Sequence, residues 1–186
     1  MVAAIGPAIY LLCYIYKQDK IEKEPTKMLV QLFFLGCLAG VIACVLEEIG
    51  TVVLNKFVDP NSPAGEIMMA FFIVAVAEEG AKFLLLKKRT WKDPNFNFRF
   101  DGVVYAVFVS LGFAAFENIG YVFSFGLSVT ITRALLAIPA HMGFAVFMGA
   151  FYGRAKFCET KGDNTGKTLN LIIGYLMAVL LHGFYD

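Results

Sequence analysis

Four groups of polar side chains lie inside apolar stretches of this chain of 186 residues. They are Glu78-Glu79 with Lys82, Glu117-Asn118, His141, and His182 with Asp186. Ionised groups at bilayer depth are costly, on the order of 2.5–3.5 kcal/mol each on insertion scales. Side chains retained at that cost indicate a role in binding or chemistry.

Glutamate and histidine in a water-poor chamber suit hydrolysis. A carboxylate removed from water holds a proton more readily, so it can take one from a water that attacks a peptide carbonyl. His141, His182 or Asn118 could then stabilise the oxyanion or protonate the leaving amine. We expect Glu78, Glu79, Glu117, His141 and His182 to be the catalytic set, with Lys82, Asn118 and Asp186 supporting it.

A metal-dependent mechanism uses the same side chains. Glu78, Glu79, His141 and His182 could hold a divalent ion, zinc being the best match to oxygen and nitrogen donors. The sequence has no HExxH motif, the usual helical zinc signature. We therefore favour the metal-free glutamate mechanism and keep zinc as the alternative.

The elements that position these groups must be membrane helices. The chain is 59% hydrophobic with a mean hydropathy of +0.68, and one crossing needs roughly 20 apolar residues. The sequence predicts an all-α polytopic helix bundle, forming a single integral-membrane domain over residues 1–186. The six predicted spans are 2–16, 28–50, 66–86, 102–124, 132–153 and 169–186.

Spacing and depth both predict that the polar groups meet. Each group recurs at three- or four-residue intervals with small residues, so four successive spans each carry one polar face. Lipid cannot satisfy such faces, so they should turn toward each other. At 1.5 Å per residue, their depths run from roughly 12 Å for Glu79 to roughly 22 Å for Glu117, close enough for one chamber.

The distribution of basic residues predicts the orientation. Of the 16 Lys and Arg residues, thirteen lie in the stretches 17–27, 87–101 and 153–168. Lys56 and Arg133 occupy the alternate side, and Lys82 is the basic residue deep in a span. This asymmetry places the three basic loops in the cytoplasm and the N-terminus outside. The net charge of +1 gives no reason to expect a nucleic-acid partner.

Other polar and small residues have ordinary structural explanations. Asp101 is predicted to be the N-cap of the fourth span. Glu47-Glu48 is predicted to be a solvated helix end at the outer interface. The glycine-containing patterns at 36–40 and 145–153 are typical of close helix contacts.

The ordered set of motifs resembles the PrsW family of bacterial intramembrane proteases. The motifs are Glu78-Glu79-x-x-Lys82, Phe113-x-x-x-Glu117-Asn118, His141, and His182-x-x-x-Asp186, which span residues 78–186. That family is related to the CAAX prenyl endopeptidases, their bacterial Abi-type relatives and the Aph subunit of gamma-secretase. Each motif alone is weak, whereas their order on four successive spans is specific.

The resemblance implies a membrane-embedded endopeptidase in the bacterial cell membrane. Its partners would be membrane lipid and a single-pass substrate, typically an anti-sigma factor cut on its extracytoplasmic side. The cut would release a sigma factor for an envelope-stress response. The resemblance also implies that Glu78 and Glu79 form the catalytic pair.

Three other functions fit parts of the pattern. A non-catalytic scaffold of the Aph type would use the polar interior only to bind a partner, but such proteins lack the complete Glu pair with its lysine. A CAAX-type prenyl endopeptidase would cut beside a cytoplasmic prenyl-cysteine. A proton or ion carrier could also use buried Glu–Lys and His–Asp sets, although no inverted repeat is visible.

Overall fold

Helices form every element of the part of the chain that the structure describes. This computed structural model describes residues 2–186, with side chains at 5–126, 129 and 131–186. The elements are α1 (Val2–Gln18), α2 (Thr26–Leu54), α3 (Pro63–Met68), a π-helix (Met69–Val74), α4 (Ala75–Thr90), α5 (Arg99–Phe125), α6 (Leu127–Leu135), α7 (Ala137–Thr160) and α8 (Asn164–Tyr185). The predicted all-α membrane helix bundle is confirmed.

Four helical segments within the described residues are long and apolar enough to cross a membrane. They are Thr26–Leu54, Arg99–Phe125, Ile131–Thr160 and Asn164–Tyr185. The predicted spans at 2–16 and 66–86 are also helical. However, α1 has only 17 residues, and the other contains the π-helix and the charged groups of α4. The protein is a membrane protein, and the count of six spans stays a prediction.

The helix α5 is the centre of the bundle. All residues from Asp101 to Ala115 are buried, and α5 packs against α1, α2, α4, α6 and α7. Glycines bring its neighbours close: a Cβ atom on Gly36 of α2 or Gly149 of α7 would collide with the α5 backbone. The predicted close helix contacts at these glycines are confirmed, and they fix the helices that carry the polar groups.

The start of α5 differs from its prediction. The N-cap is Phe98, and Asp101 is a residue within the first turn. The Asp101 carboxylate accepts hydrogen bonds from the backbone N–H groups of Phe98, at 2.7 Å, and Asn97, at 3.0 Å. The prediction that Asp101 is the N-cap is therefore wrong: its carboxylate reaches back from the third helical position to accept from the N–H groups of the two residues before the helix.

The fifth predicted span is divided in the structure. A break at Leu136 separates the short helix α6 from α7, which extends to Thr160 rather than ending at 153. The third predicted span is also irregular, since the π-helix leads directly into α4. Wide π turns of this kind occur often at functional sites.

The loop between α1 and α2 is anchored to α5 through Glu24. The Tyr105 hydroxyl donates a hydrogen bond of 2.5 Å to the Glu24 carboxyl group, which is only 4% exposed. Burial raises the pKa of Glu24 from 4.5 to about 7. The hydrogen bond from Tyr105 opposes this change, and the charges of Asp101, Asp19 and Glu22 add to it.

We expect Glu24 to contribute a fall in the stability of this protein as the pH rises from about 4.5 to about 7. In that interval the folded state binds more protons at Glu24 than the unfolded state does, so the free energy of unfolding decreases with pH. The variant Glu24→Gln should remove this component of the pH dependence. Thermal unfolding in detergent across this interval measures it.

The neighbouring Glu22 gives a matched control, because its side chain is exposed on the same loop. Glu22→Gln should change the slope of melting temperature against pH much less than Glu24→Gln does, because the charge of Glu22 is the smallest of the named contributions to the pKa of Glu24. Equal slopes for wild type and Glu24→Gln would show that Glu24 is not the titrating group.

Candidate active site

The ammonium group of Lys82 lies at the centre of the buried polar groups. Its Nζ donates hydrogen bonds to Glu79 Oε1 at 2.7 Å, to Glu78 Oε2 at 3.3 Å and to His141 Nδ1 at 3.2 Å. It also lies 3.8 Å from the centroid of the Phe113 ring. The two glutamates and the lysine meet because they are three and four residues apart in α4, which places them on one face.

His182 brings α8 to the same glutamates. Its Nδ1 donates to Glu79 Oε1 at 2.9 Å, so this oxygen accepts from both His182 and Lys82. On the other side of the ring, Nε2 lies 3.4 Å from Asp186 Oδ2 and 3.7 Å from Glu78 Oε2. Glu79 is therefore the firmly held carboxylate of the pair, and Glu78 is held more loosely.

His141 of α7 connects this cluster to Glu117 of α5. Because Lys82 can only donate, His141 Nδ1 accepts, and His141 Nε2 therefore carries the proton that is donated to Glu117 Oε2 at 3.0 Å. The rings of His141 and His182 lie 5.2 Å apart. The structure thus brings together Glu78, Glu79, Glu117, His141 and His182.

The supporting residues are placed differently from one another. Lys82 lies inside the cluster and Asp186 lies at its edge, with its side chain 30% exposed. Asn118 is buried on α5 beside Glu117.

A cavity of about 720 Å³ lies against this cluster. On the side of the cluster, it is lined by Glu78, Glu117, His141 and His182. Its wall also includes Pro60 of the α2–α3 loop and Glu66 of α3. Much of the remaining wall is apolar and comes from α2, the π-helix and α5. A volume of this size lies within the usual range for ligand sites.

Three charged residues of the cavity wall were not predicted to be there: Glu47, Glu66 and Arg133. Glu47 of α2 is half-buried and lines the cavity, whereas Glu48 is exposed. The prediction of a helix end is wrong for both, because α2 continues to Leu54. Arg133 of α6 binds Glu117, with Nη2 and Oε1 2.6 Å apart. Arg133 is the sole Lys or Arg between residues 100 and 153, a signal that could have indicated a buried partner.

The donor set is suited to a divalent metal ion. Glu78, Glu79, His141 and His182 are all buried, and each offers a ligand atom within 4.8 Å of the others. Two carboxylates and two imidazoles match the chemistry of zinc sites. The ammonium of Lys82 contacts three of these four groups, so it would have to move for an ion to share them.

Comparisons with known proteins agree on one family. The chain matches the family described as "PrsW family intramembrane metalloprotease" over residues 24–186. The chain belongs to the PrsW family. Membership in this family supports an intramembrane protease rather than a non-catalytic scaffold or a proton or ion carrier.

Relatives from three bacteria show how far the similarity to PrsW proteins extends. "Protease PrsW" of Clostridioides difficile (strain 630) is 34% identical over 187 residues, covering 98% of this chain and 76% of the relative. The Bacillus subtilis (strain 168) protein is 34% identical, covering 99% and 79%. The Geobacillus kaustophilus (strain HTA426) protein is 35% identical, covering 99% and 76%. No solved structure gave a significant match.

Proposed function

We propose that this PrsW-family protease cleaves a single-pass membrane protein, an anti-sigma factor, on its extracytoplasmic side. The observation that supports this function best is the contact of two glutamates, a lysine and two histidines from three helices at the wall of one cavity. Such a site provides a base, proton carriers and space for an unwound segment of substrate.

The two glutamates differ in what they can do. Glu78 lines the cavity and has the longer contacts, so it is the side chain able to take a proton from a water molecule. Glu79 does not line the cavity and accepts hydrogen bonds from Lys82 and His182. We assign Glu78 as the general base and Glu79 as the group that holds Lys82 and His182 in place.

His182 is suited to the second proton transfer. With Nδ1 donating to Glu79, its Nε2 is directed toward Glu78 and Asp186 at the cavity wall. The proton that Glu78 takes from water can therefore reach the leaving amine through His182, as the C–N bond breaks. If zinc is bound, Glu78, Glu79, His141 and His182 would hold it, and it would supply a Lewis acid that polarises the peptide carbonyl.

Cleavage of a single-pass anti-sigma factor by purified protein in detergent tests this function. The wild type should cut the substrate at one site, on the extracytoplasmic side of its membrane span. Mass spectrometry of the fragments locates the cut. Cleavage that survives a zinc chelator supports the metal-free mechanism, and cleavage lost to the chelator and restored by zinc supports the metal-dependent one.

Two results would contradict the proposal. A panel of such substrates left uncut by wild type would exclude this substrate class. A cut beside a cytoplasmic prenyl-cysteine would indicate CAAX-type activity instead. Glu48→Gln is the matched control, because Glu48 is an exposed glutamate of a membrane helix and does not line the cavity.

A further inference from the structure

Arg133 is held from two sides by a single face of α5. Its Nη2 lies 2.6 Å from Glu117 Oε1, and its guanidinium group stacks at 3.6 Å over the ring of Tyr121. Glu117 and Tyr121 are four residues apart, so they are neighbours on the helix surface. A carboxylate and an aromatic face together define both the position and the plane of the guanidinium group.

The Glu117 carboxylate is divided between Arg133 and His141. Oε1 binds Arg133, and Oε2 accepts the Nε2–H of His141 at 3.0 Å. The other ring nitrogen of His141 accepts from Lys82 at 3.2 Å. An ordered chain of contacts therefore runs from Arg133 through Glu117 and His141 to Lys82 and the glutamate pair.

Loss of Arg133 would change the surroundings of His141 without touching it directly. The His141 side chain is only 4% exposed, so its ring orientation depends on its two hydrogen-bond partners. Without the guanidinium group, Glu117 would lack its nearest cation and would turn toward water in the cavity or toward other donors. The Nε2–H of His141 would then lose a fixed acceptor.

We infer that Arg133 is a positioning residue of the protease. It acts through Glu117 to keep the proton of His141 on Nε2 and the Nδ1 lone pair directed at Lys82. The inference deepens the proposed function and depends on it for the measurement of activity. Outer-shell partners that orient a metal-ligating histidine typically contribute about 10- to 100-fold to activity or metal affinity, and we take the same range for a partner that orients His141.

Steady-state cleavage of the substrate cut by wild type provides the first test. Arg133→Gln should lower kcat about 10- to 100-fold with KM unchanged, because the histidine is misplaced while the rest of the cavity is intact. Arg133→Lys should recover part of kcat, since the charge remains and the planar contact with Glu117 is lost.

Arg99 offers a closely matched control. Its guanidinium group stacks on the Phe157 ring at the same distance of 3.6 Å, at the opposite end of α5 from Glu117. Arg99→Gln should leave kcat unchanged. Equal losses of kcat in Arg99→Gln and Arg133→Gln would show that removing any stacked arginine has the same effect, and would overturn the inference.

The state of the His141 ring gives a readout that a purely structural role would not change. The chain has two histidines, so protein labelled with ¹⁵N-histidine gives two pairs of ring signals, and His182→Gln assigns them. We expect the Nε2–H tautomer for His141 in wild type and a mixture of tautomers in Arg133→Gln. An unchanged tautomer in Arg133→Gln would overturn the inference.

A double-mutant cycle tests whether Arg133 acts through Glu117. If it does, Arg133→Gln combined with Glu117→Gln should cost no more in kcat than Glu117→Gln alone. Losses that multiply would mean that Arg133 acts separately. If wild type cleaved no substrate, the proposed function would fail, and the NMR comparison would still decide the role of Arg133.

Discussion

The variant Glu78→Gln is expected to lose about 10²- to 10⁴-fold in kcat, the usual contribution of a general base. Glutamine keeps the shape of the side chain and can still accept the hydrogen bond from Lys82, but it cannot take a proton from water. Since Glu78 lines the cavity and has the looser contacts, its replacement should leave the melting temperature nearly unchanged. Cleavage kinetics and thermal unfolding in detergent measure both quantities.

The variant Glu79→Gln distinguishes the roles of the two glutamates. It should also abolish cleavage, but through a loss of order, because Lys82 and His182 would lose the oxygen that both of them bind. A fall in melting temperature should accompany the loss of activity in Glu79→Gln and not in Glu78→Gln. Normal cleavage by both variants would exclude the glutamate mechanism, and Glu48→Gln should behave as wild type.

Replacement of Lys82 by methionine is expected to destabilise the protein by about 3–5 kcal/mol, the usual cost of removing one partner from a buried ion pair. Lys82 is 2% exposed, and both glutamates that it contacts are buried. Methionine preserves most of the volume of the side chain, so the change isolates the charge. The free energy of unfolding in detergent and the cleavage rate should both fall.

A compensating change distinguishes charge from packing. The double variant Lys82→Met with Glu79→Gln removes one negative and one positive charge, so it should recover much of the lost stability while staying inactive. Lys88→Met is the control, because Lys88 is exposed near the end of the same helix. Wild-type stability and activity in Lys82→Met would show that the charge of Lys82 has no role in stability or catalysis.

The hydrophobic pattern determined the fold class and most of the helices. Long apolar stretches must be helical in a membrane, because no other local structure satisfies the backbone hydrogen bonds there. Local spacing likewise placed Glu78, Glu79 and Lys82 on one face, since α4 is a regular helix over those residues. The depth of each polar group followed from helical rise alone, and it predicted the helices that would have to meet.

Irregular backbone was not predictable in the same way. The π-helix before α4 occurs in apolar sequence without a strong local signal. It depends on packing against neighbouring helices, which outweighs small differences in the propensity of single residues. The break at Leu136 does have a local signal that the span prediction did not use, because Pro139 has no N–H to bond Leu135 and its ring clashes with that carbonyl. The N-cap of α5 was predicted three residues too late, because Asp101 caps the helix from inside its first turn rather than from the position before it.

The sequence by itself determined which side chains would have to be satisfied inside the membrane, because their cost there does not depend on the fold. Only the tertiary structure decided their pairing. It placed Lys82 between three partners, divided Glu117 between Arg133 and His141, and turned Glu47 rather than Glu48 toward the cavity. These choices depend on the rotation and separation of helices distant in the chain, which close contacts at glycines such as Gly36 and Gly149 help to set.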